Sequence, residues 1–255
     1  MVAEGDAVAT SHRRLGWWGL VGVLVLWLAG GFVGAFVAQA LTGSEDDAFA
    51  EVPAMLAHTA LPALLSAVAV GVVVTVLRWW PDVLRDRVRA RAWAWVFPLG
   101  LVAGGAFLAD WSRLSGAGAG LVVSLVVCVV AVAASEELAF RGVVLTALRD
   151  RMPEFWAAIV TTLLFGVAHM IDGGFGNIGQ GLVTMLVGYL LYVARRVSGG
   201  LIVPVVLHAW WDLCVFSHDL GPGSSTASSL FEATLLVLVL VVAALATFRL
   251  WQPRG

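Results

Sequence analysis

The chain has 255 residues, 60% of them hydrophobic, and its mean hydropathy is +0.94. These values exclude an ordinary soluble globular domain and predict a polytopic membrane protein. The formal net charge of −2 is uninformative as a total, and we expect no nucleic-acid partner. Cys128 and Cys214 lie in apolar segments without CxxC spacing, so neither a disulfide framework nor a zinc finger is predicted.

Apolar segments about as long as a bilayer is thick predict an all-α helix bundle with about eight transmembrane helices. A polar tail, residues 1–14, precedes the first segment, which we expect to be a retained anchor because it is too long for a cleaved signal. We predict a single transmembrane domain, residues 15–250, and a short tail, residues 251–255. The predicted spans are 15–41, 52–77, 92–109, 120–148, 155–171, 177–194, 201–216 and 230–249.

The distribution of arginines predicts the orientation of these spans. Five arginines fall in residues 78–91, Arg195 and Arg196 are expected to mark another loop, and an acidic segment containing Glu45 and Asp46 follows the first span. Because basic loops stay in the cytoplasm, both termini are predicted to be cytoplasmic. All fifteen basic residues are arginine, which hints at a GC-rich bacterial gene and hence at a bacterial cell membrane.

The most unusual part of the fourth span reads Ser-Glu-Glu-Leu-Ala-Phe-Arg-Gly, residues 135–142. An ionisable residue at membrane depth costs at least ~2.5 to 3.5 kcal/mol, so these charges require partners inside the protein. Glu137 and Arg141 stand at i and i+4, suitably spaced for an ion pair, whereas Glu136 is rotated by about 100°. Glu136 is therefore the candidate for chemistry, unless the cluster only locks helices together through a salt bridge.

Two later spans carry matching polar groups. Phe165 and His169 share one helical face of the fifth span, and His208 and Asp212 share one face of the seventh. At about 1.5 Å per residue, these groups and Glu136 lie at overlapping depths. A carboxylate can act as general base toward water, one imidazole can hold that water and a second can donate to an oxyanion. The set therefore favours hydrolysis.

The ordered motifs Glu136-Glu137-x-x-x-Arg141, Phe165-x-x-x-His169 and His208-x-x-x-Asp212 resemble those of the CPBP family. These are CAAX-processing and bacteriocin-processing intramembrane endopeptidases, also called the Abi family, and the eight-helix layout is similar to that of CAAX prenyl proteases. The resemblance implies that Glu136 activates water with His169, that His208 and the residue four positions later stabilise the oxyanion, and that Glu137, Arg141 and Phe165 support them.

At that fourth position the eukaryotic CAAX enzymes have Asn, whereas this chain has Asp212. An ionised Asp212 would repel an oxyanion, so it must be protonated, orient His208 or bind a cation.

Other functions compete with this interpretation. No cofactor and no metal are predicted. Glu136, His169 and His208, with Asp212 as a further candidate, are nevertheless suitable zinc ligands, although H-E-x-x-H is missing. A bacteriocin-immunity or scaffold protein would keep the fold and work by binding. A proton-coupled transporter is disfavoured because internal pseudo-symmetry is not seen.

The expected partners are the bilayer and a membrane-associated protein or peptide. Neither the identity of that substrate nor an oligomeric state is indicated. The literal G-x-G-x-x-G at residues 174–179 follows no strand, so no nucleotide is predicted.

Overall fold

The computed structural model describes residues 15–42, 48–86, 89–172, 178–221 and 227–252, together with side chains except those of 172 and 227–236. The predicted amino-terminal tail, the acidic residues 45–47 and residues 174–177 lie outside this part. The long helices are α1 (Trp17–Thr42), α2 (Val52–Leu77), α3 (Ala92–Leu108), α4 (Ala119–Arg149), α5 (Glu154–Asp172), α6 (Ile178–Ser198), α7 (Ile202–Phe216) and α8 (Ala227–Ala246).

Short helices fill the connections at Trp80–Leu84, Trp111–Gly116, Ser217–Asp219 and Phe248–Trp251. Each predicted span coincides with one of the long helices. By length and composition, α1, α2, α4, α5 and α6 can cross a membrane, whereas the apolar parts of α3 and α8 are shorter. No β-strand occurs among the described residues, although an isolated β-bridge joins Arg85 to Gly200. The predicted all-α polytopic membrane bundle is therefore confirmed.

Helices α1 and α2 are packed closely together, and small residues on α1 permit this contact. A Cβ on Gly30 would lie 2.7 Å from the Cα of Ser66, and one on Gly34 would collide with Pro62. The Ser66 hydroxyl also donates to the Trp27 carbonyl at 2.7 Å. This packing fixes α1 beside the part of the bundle that holds the charged residues of α4.

One end of the bundle, here called the basic end, contains an ion-pair network formed by Asp86, Arg149, Glu154, Arg195 and Arg196. Asp86 contacts Arg149 at 3.0 Å, Arg195 at 2.9 Å and Arg196 at 3.3 Å. Burial alone would raise the pKa of Asp86, but Arg195 and Arg149 outweigh it and lower this pKa to about 2.

The arginines of this network correct one prediction. Arg195 and Arg196 were expected to mark a cytoplasmic loop, but both belong to α6, which continues to Ser198, and their side chains are only 0% and 8% exposed. They are buried because Asp86 and Ala90 lie against the end of α6, with the Asp86 N–H donating to the Gly199 carbonyl at 3.1 Å and the Ala90 N–H donating to the Arg196 carbonyl at 2.7 Å. Asp86 compensates their charge.

Both ends of the described chain lie at the basic end. The Arg151 guanidinium lies 5.3 Å from the ring centre of Trp17, at the start of α1. The Arg91 N–H donates to the Trp251 carbonyl at 2.8 Å. At the opposite end, Phe49 stacks on Phe216 with 5.4 Å between ring centres. The eight long helices of the described residues are an even number, which explains why the first begins and the last ends at the same end of the bundle.

The helix α4 is not a uniform α-helix. Its residues Leu138–Val144 form a π-helical segment directly after Glu137, and α2 contains another at Leu56–Ala60. Segments of this kind add a residue to a turn and are frequent at functional sites. The one in α4 lies between the paired glutamates and the basic end of the bundle.

Candidate active site

The two adjacent glutamates of α4 face different surroundings. Glu137 is completely buried, whereas the Glu136 side chain is 12% exposed. The preceding residue, Ser135, is buried and its hydroxyl accepts a hydrogen bond from the Trp27 indole at 3.0 Å. The first helix of the bundle thus holds α4 at the residue next to Glu136.

Glu137 and Arg141 form the ion pair expected from their spacing. Arg141 Nη1 lies 2.7 Å from Glu137 Oε1, and both side chains are 0% exposed. Arg141 Nη2 donates to the Gly188 carbonyl on α6 at 2.9 Å, and its guanidinium lies 4.1 Å from the Phe165 ring centre. Gly188 is required here, because a Cβ would lie 2.7 Å from Arg141 Nη2. Arg141 therefore links α4 to both α5 and α6.

His208 on α7 lies among three carboxylates. Its Nδ1 donates to Glu137 Oε1 at 3.0 Å, since a carboxylate can only accept. Its Nε2 lies 3.7 Å from Glu136 Oε2 and 3.5 Å from Asp212 Oδ2. Glu137 thus has a second contact besides Arg141, which fixes the orientation of the His208 ring.

His169 on α5 approaches Glu136 from another direction. Its Nε2 lies 3.5 Å from Glu136 Oε2, while its Nδ1 contacts the Phe165 carbonyl at 2.9 Å. A carbonyl can only accept, so Nδ1 carries the proton, and a neutral ring presents a lone pair on Nε2 toward Glu136. The Phe165 ring packs edge-on against His169 with centres 4.5 Å apart.

The structure brings the four predicted catalytic residues together, and the three predicted supporting residues surround them. Glu136, His169, His208 and Asp212 form one cluster through contacts of 3.5 to 3.7 Å. His58 is not part of it, since its Nε2 lies 2.6 Å from the hydroxyl of Thr42. The roles of these residues stay predictions.

Sequence reasoning missed three residues that pack around this cluster. Trp27 and Phe140 meet at 5.3 Å between ring centres, and Phe140 meets Phe165 at 5.1 Å. Ser135, the third, binds Trp27. Trp27 lies in the middle of a predicted span, far from either end. That position was the available signal, because the indole N–H of a buried tryptophan needs a hydrogen-bond partner within the bundle.

Zinc was the alternative that these residue types left open. Carboxylate and imidazole are zinc donors. However, no group of three or more His, Cys, Asp or Glu side chains within the described ranges is arranged to hold a metal ion. The donor types fit zinc and their arrangement does not, so the chemistry below is derived from the side chains themselves.

Fold and site together define a polytopic helical membrane protein with a carboxylate and histidine cluster inside its bundle. Residues 118–214 match the sequence model of the family described as type II CAAX prenyl endopeptidase Rce1-like. This part of the chain carries all three motifs and is similar to that family of membrane proteases, so the predicted resemblance to CAAX-processing enzymes is confirmed.

A relative from Escherichia coli, described as an uncharacterized 24.3 kDa protein, is 36% identical to this chain over 94 residues. The match covers 34% of this chain and 40% of the relative. It therefore spans less than half of either protein.

Proposed function

We propose that this protein is an intramembrane endopeptidase that hydrolyses a peptide bond of a membrane-associated protein or peptide. The observation that carries the proposal is the position of Glu136. Its Oε2 lies within 3.7 Å of two imidazole nitrogens and accepts no hydrogen bond from the described residues. A partly exposed carboxylate inside an apolar bundle, whose neighbour Glu137 is already paired with Arg141, is suited to act as a general base.

Glu136 and His169 are proposed to activate the attacking water. Glu136 Oε2 and the Nε2 lone pair of His169 are both acceptors, and a water between them can donate one hydrogen to each. Glu136 takes a proton from this water as the oxygen attacks the carbonyl carbon. The same proton then passes to the leaving nitrogen as the carbon–nitrogen bond breaks, which leaves Glu136 ionised as before.

His208 is proposed to stabilise the oxyanion of the tetrahedral intermediate. Because Nδ1 is bound to Glu137, Nε2 is the nitrogen that faces Glu136, and in the imidazolium it is a donor. Asp212, 3.5 Å from Nε2, favours that protonated ring and orients it. Arg141 and Phe165 act indirectly, through Glu137 and His169 respectively.

We also propose that the chain forms one transmembrane domain in a bacterial cell membrane, with the basic end in the cytoplasm. The start of α1 and Trp251 both lie at the end of the bundle that carries Arg149, Arg195 and Arg196. This supports the proposal because basic residues favour the cytoplasmic side. A reporter protein fused after residue 252 should therefore be active if it is of a kind that works in the cytoplasm, and inactive if it is of a kind that requires export.

The test of the peptidase proposal compares cells that express the parent chain, Glu136→Gln or the control Glu51→Gln, an exposed site outside the cluster. Mass spectrometry of membrane peptides and new protein termini should find fragments with the parent and with Glu51→Gln but not with Glu136→Gln. Full cleavage by Glu136→Gln would refute the proposal. Metal analysis of the purified active protein separates the glutamate mechanism from a zinc-dependent one, which requires stoichiometric zinc.

A further inference from the structure

The π-helical segment after Glu137 leaves one backbone carbonyl without its usual partner. In an α-helix the Leu145 N–H would donate to the carbonyl of Arg141, four residues earlier. Here it donates to the Phe140 carbonyl instead. Arg141 is completely buried, so water does not solvate its carbonyl and a donor from the protein stabilises it.

Arg195 supplies this donor from α6. Its Nη1 donates to the Arg141 carbonyl, its Nη2 donates to the Asp82 carbonyl at 3.1 Å, and its Nε donates to Asp86 Oδ1 at 2.9 Å. The side chain is 0% exposed. A guanidinium presents its donors in a rigid plane, so three acceptors on two parts of the chain are held in one arrangement.

The residue whose carbonyl Arg195 binds is also the residue whose side chain pairs with Glu137. Arg141 Nη1 donates to Glu137 Oε1 at 2.7 Å, and the same oxygen accepts from His208 Nδ1 at 3.0 Å. Three successive contacts therefore connect Arg195 to the imidazole of His208. A change in the π-helical segment would displace Arg141 and leave the His208 ring without a fixed acceptor.

We propose that Arg195 is a positioning residue of the active site, which holds the π-helical segment so that Glu137 orients His208. The proposal rests on the proposed function, because it assigns Arg195 to the peptidase site, and Arg195 itself does not touch the reacting atoms. Arg149 provides a matched control. It binds Asp86 and Glu154 in the same network but makes no described contact with the π-helical segment.

The first readout needs no substrate. The full chain, with ¹⁵N-labelled histidine rings, is placed in lipid nanodiscs and studied by NMR. Spectra are compared for the parent, Arg195→Gln and Arg149→Gln. A His208→Gln sample identifies the His208 signals by their loss. We expect Arg195→Gln to shift the ring nitrogen signals of His208 and Arg149→Gln to leave them unchanged. If Arg195→Gln does not fold, Asp86→Asn removes the anchor of Arg195 and carries the same expectation. Unchanged His208 signals, or equal shifts in the Arg149 control, would overturn the proposal.

The second readout is turnover at a cleavage site that depends on Glu136. We expect Arg195→Gln to lower kcat about 10- to 100-fold with KM within about twofold, because a misplaced catalytic group slows the chemical step and not binding. Arg195→Lys should recover part of this loss, and Arg149→Gln should stay within about twofold of the parent. A loss confined to KM contradicts the proposal. If the parent itself cleaves nothing, the peptidase assignment fails, and the His208 signals alone decide the role of Arg195.

Discussion

Arg141→Met should be severely destabilising, because it leaves Glu137 as an uncompensated charge in a fully buried position. The two side chains are 0% exposed and their atoms are 2.7 Å apart. Removing one partner of such a pair costs about 3 to 5 kcal/mol of unfolding free energy. Arg141 also donates to the buried Gly188 carbonyl, so the upper part of this range is expected.

A double-mutant cycle isolates the pair from the other contacts of Arg141. Removing both charges in Glu137→Gln with Arg141→Met should cost less than the sum of the single changes, by about 2 to 3 kcal/mol. The matched control is the pair of Asp110 and Arg113, which are 3.6 Å apart and about a quarter exposed. Its coupling energy should be below about 1 kcal/mol.

Reversible unfolding of the detergent-solubilised chain by increasing SDS, followed by circular dichroism, measures both cycles. A loss below about 1 kcal/mol for Arg141→Met, together with additive single changes, would refute the buried ion pair. Equal coupling in the two cycles would show that burial does not strengthen this interaction.

Two further predictions concern pH and the oxyanion. The pKa of Asp86 is lowered from 3.8 to about 2, so its contribution is complete above about pH 4 and is lost as the pH falls toward 2. Asp86→Asn should therefore lower the unfolding free energy by about 2 kcal/mol at pH 7, and chemical unfolding should show this difference shrinking between pH 4 and 2; a constant difference would contradict the assignment. Asp212→Asn should retain part of the cleavage, because its amide oxygen can still accept from His208 Nε2 and orient the ring that stabilises the oxyanion, whereas Asp212→Ala should lose about 10- to 100-fold in kcat; equal losses would refute the orienting role.

Much of the fold could be predicted from the sequence because the bilayer limits the possible structures. A spanning segment must satisfy its own backbone hydrogen bonds, so a sufficiently long apolar segment predicts a helix without knowledge of its neighbours. The four residues proposed for catalysis were found in the same way. A carboxylate or imidazole such as Glu136 or His169 is conspicuous in an apolar segment because its burial there is costly.

The basic end shows where this reasoning fails. Arg195, next to an apolar segment, predicts a cytoplasmic loop, yet it lies within α6 and is completely buried. Trp79 and Trp251 lie at or near the ends of predicted spans, where tryptophan commonly occupies the membrane interface, yet they are only 1% and 0% exposed. Burial of the arginines depends on Asp86 reaching the bundle end, where it pairs with Arg149, Arg195 and Arg196. Such contacts join residues far apart in the chain and have no local signature.

The sequence by itself determined the membrane class, the order of the helices, the residues of the three motifs and the pairing of Glu137 with Arg141, since periodicity and hydropathy are local properties. Only the tertiary structure decided that Glu137 also binds His208 and that Arg195 binds the Arg141 carbonyl. The physical reason is that both contacts require a donor and an acceptor on different helices to meet within hydrogen-bonding distance. That distance is fixed by helix packing and by the π-helical segment.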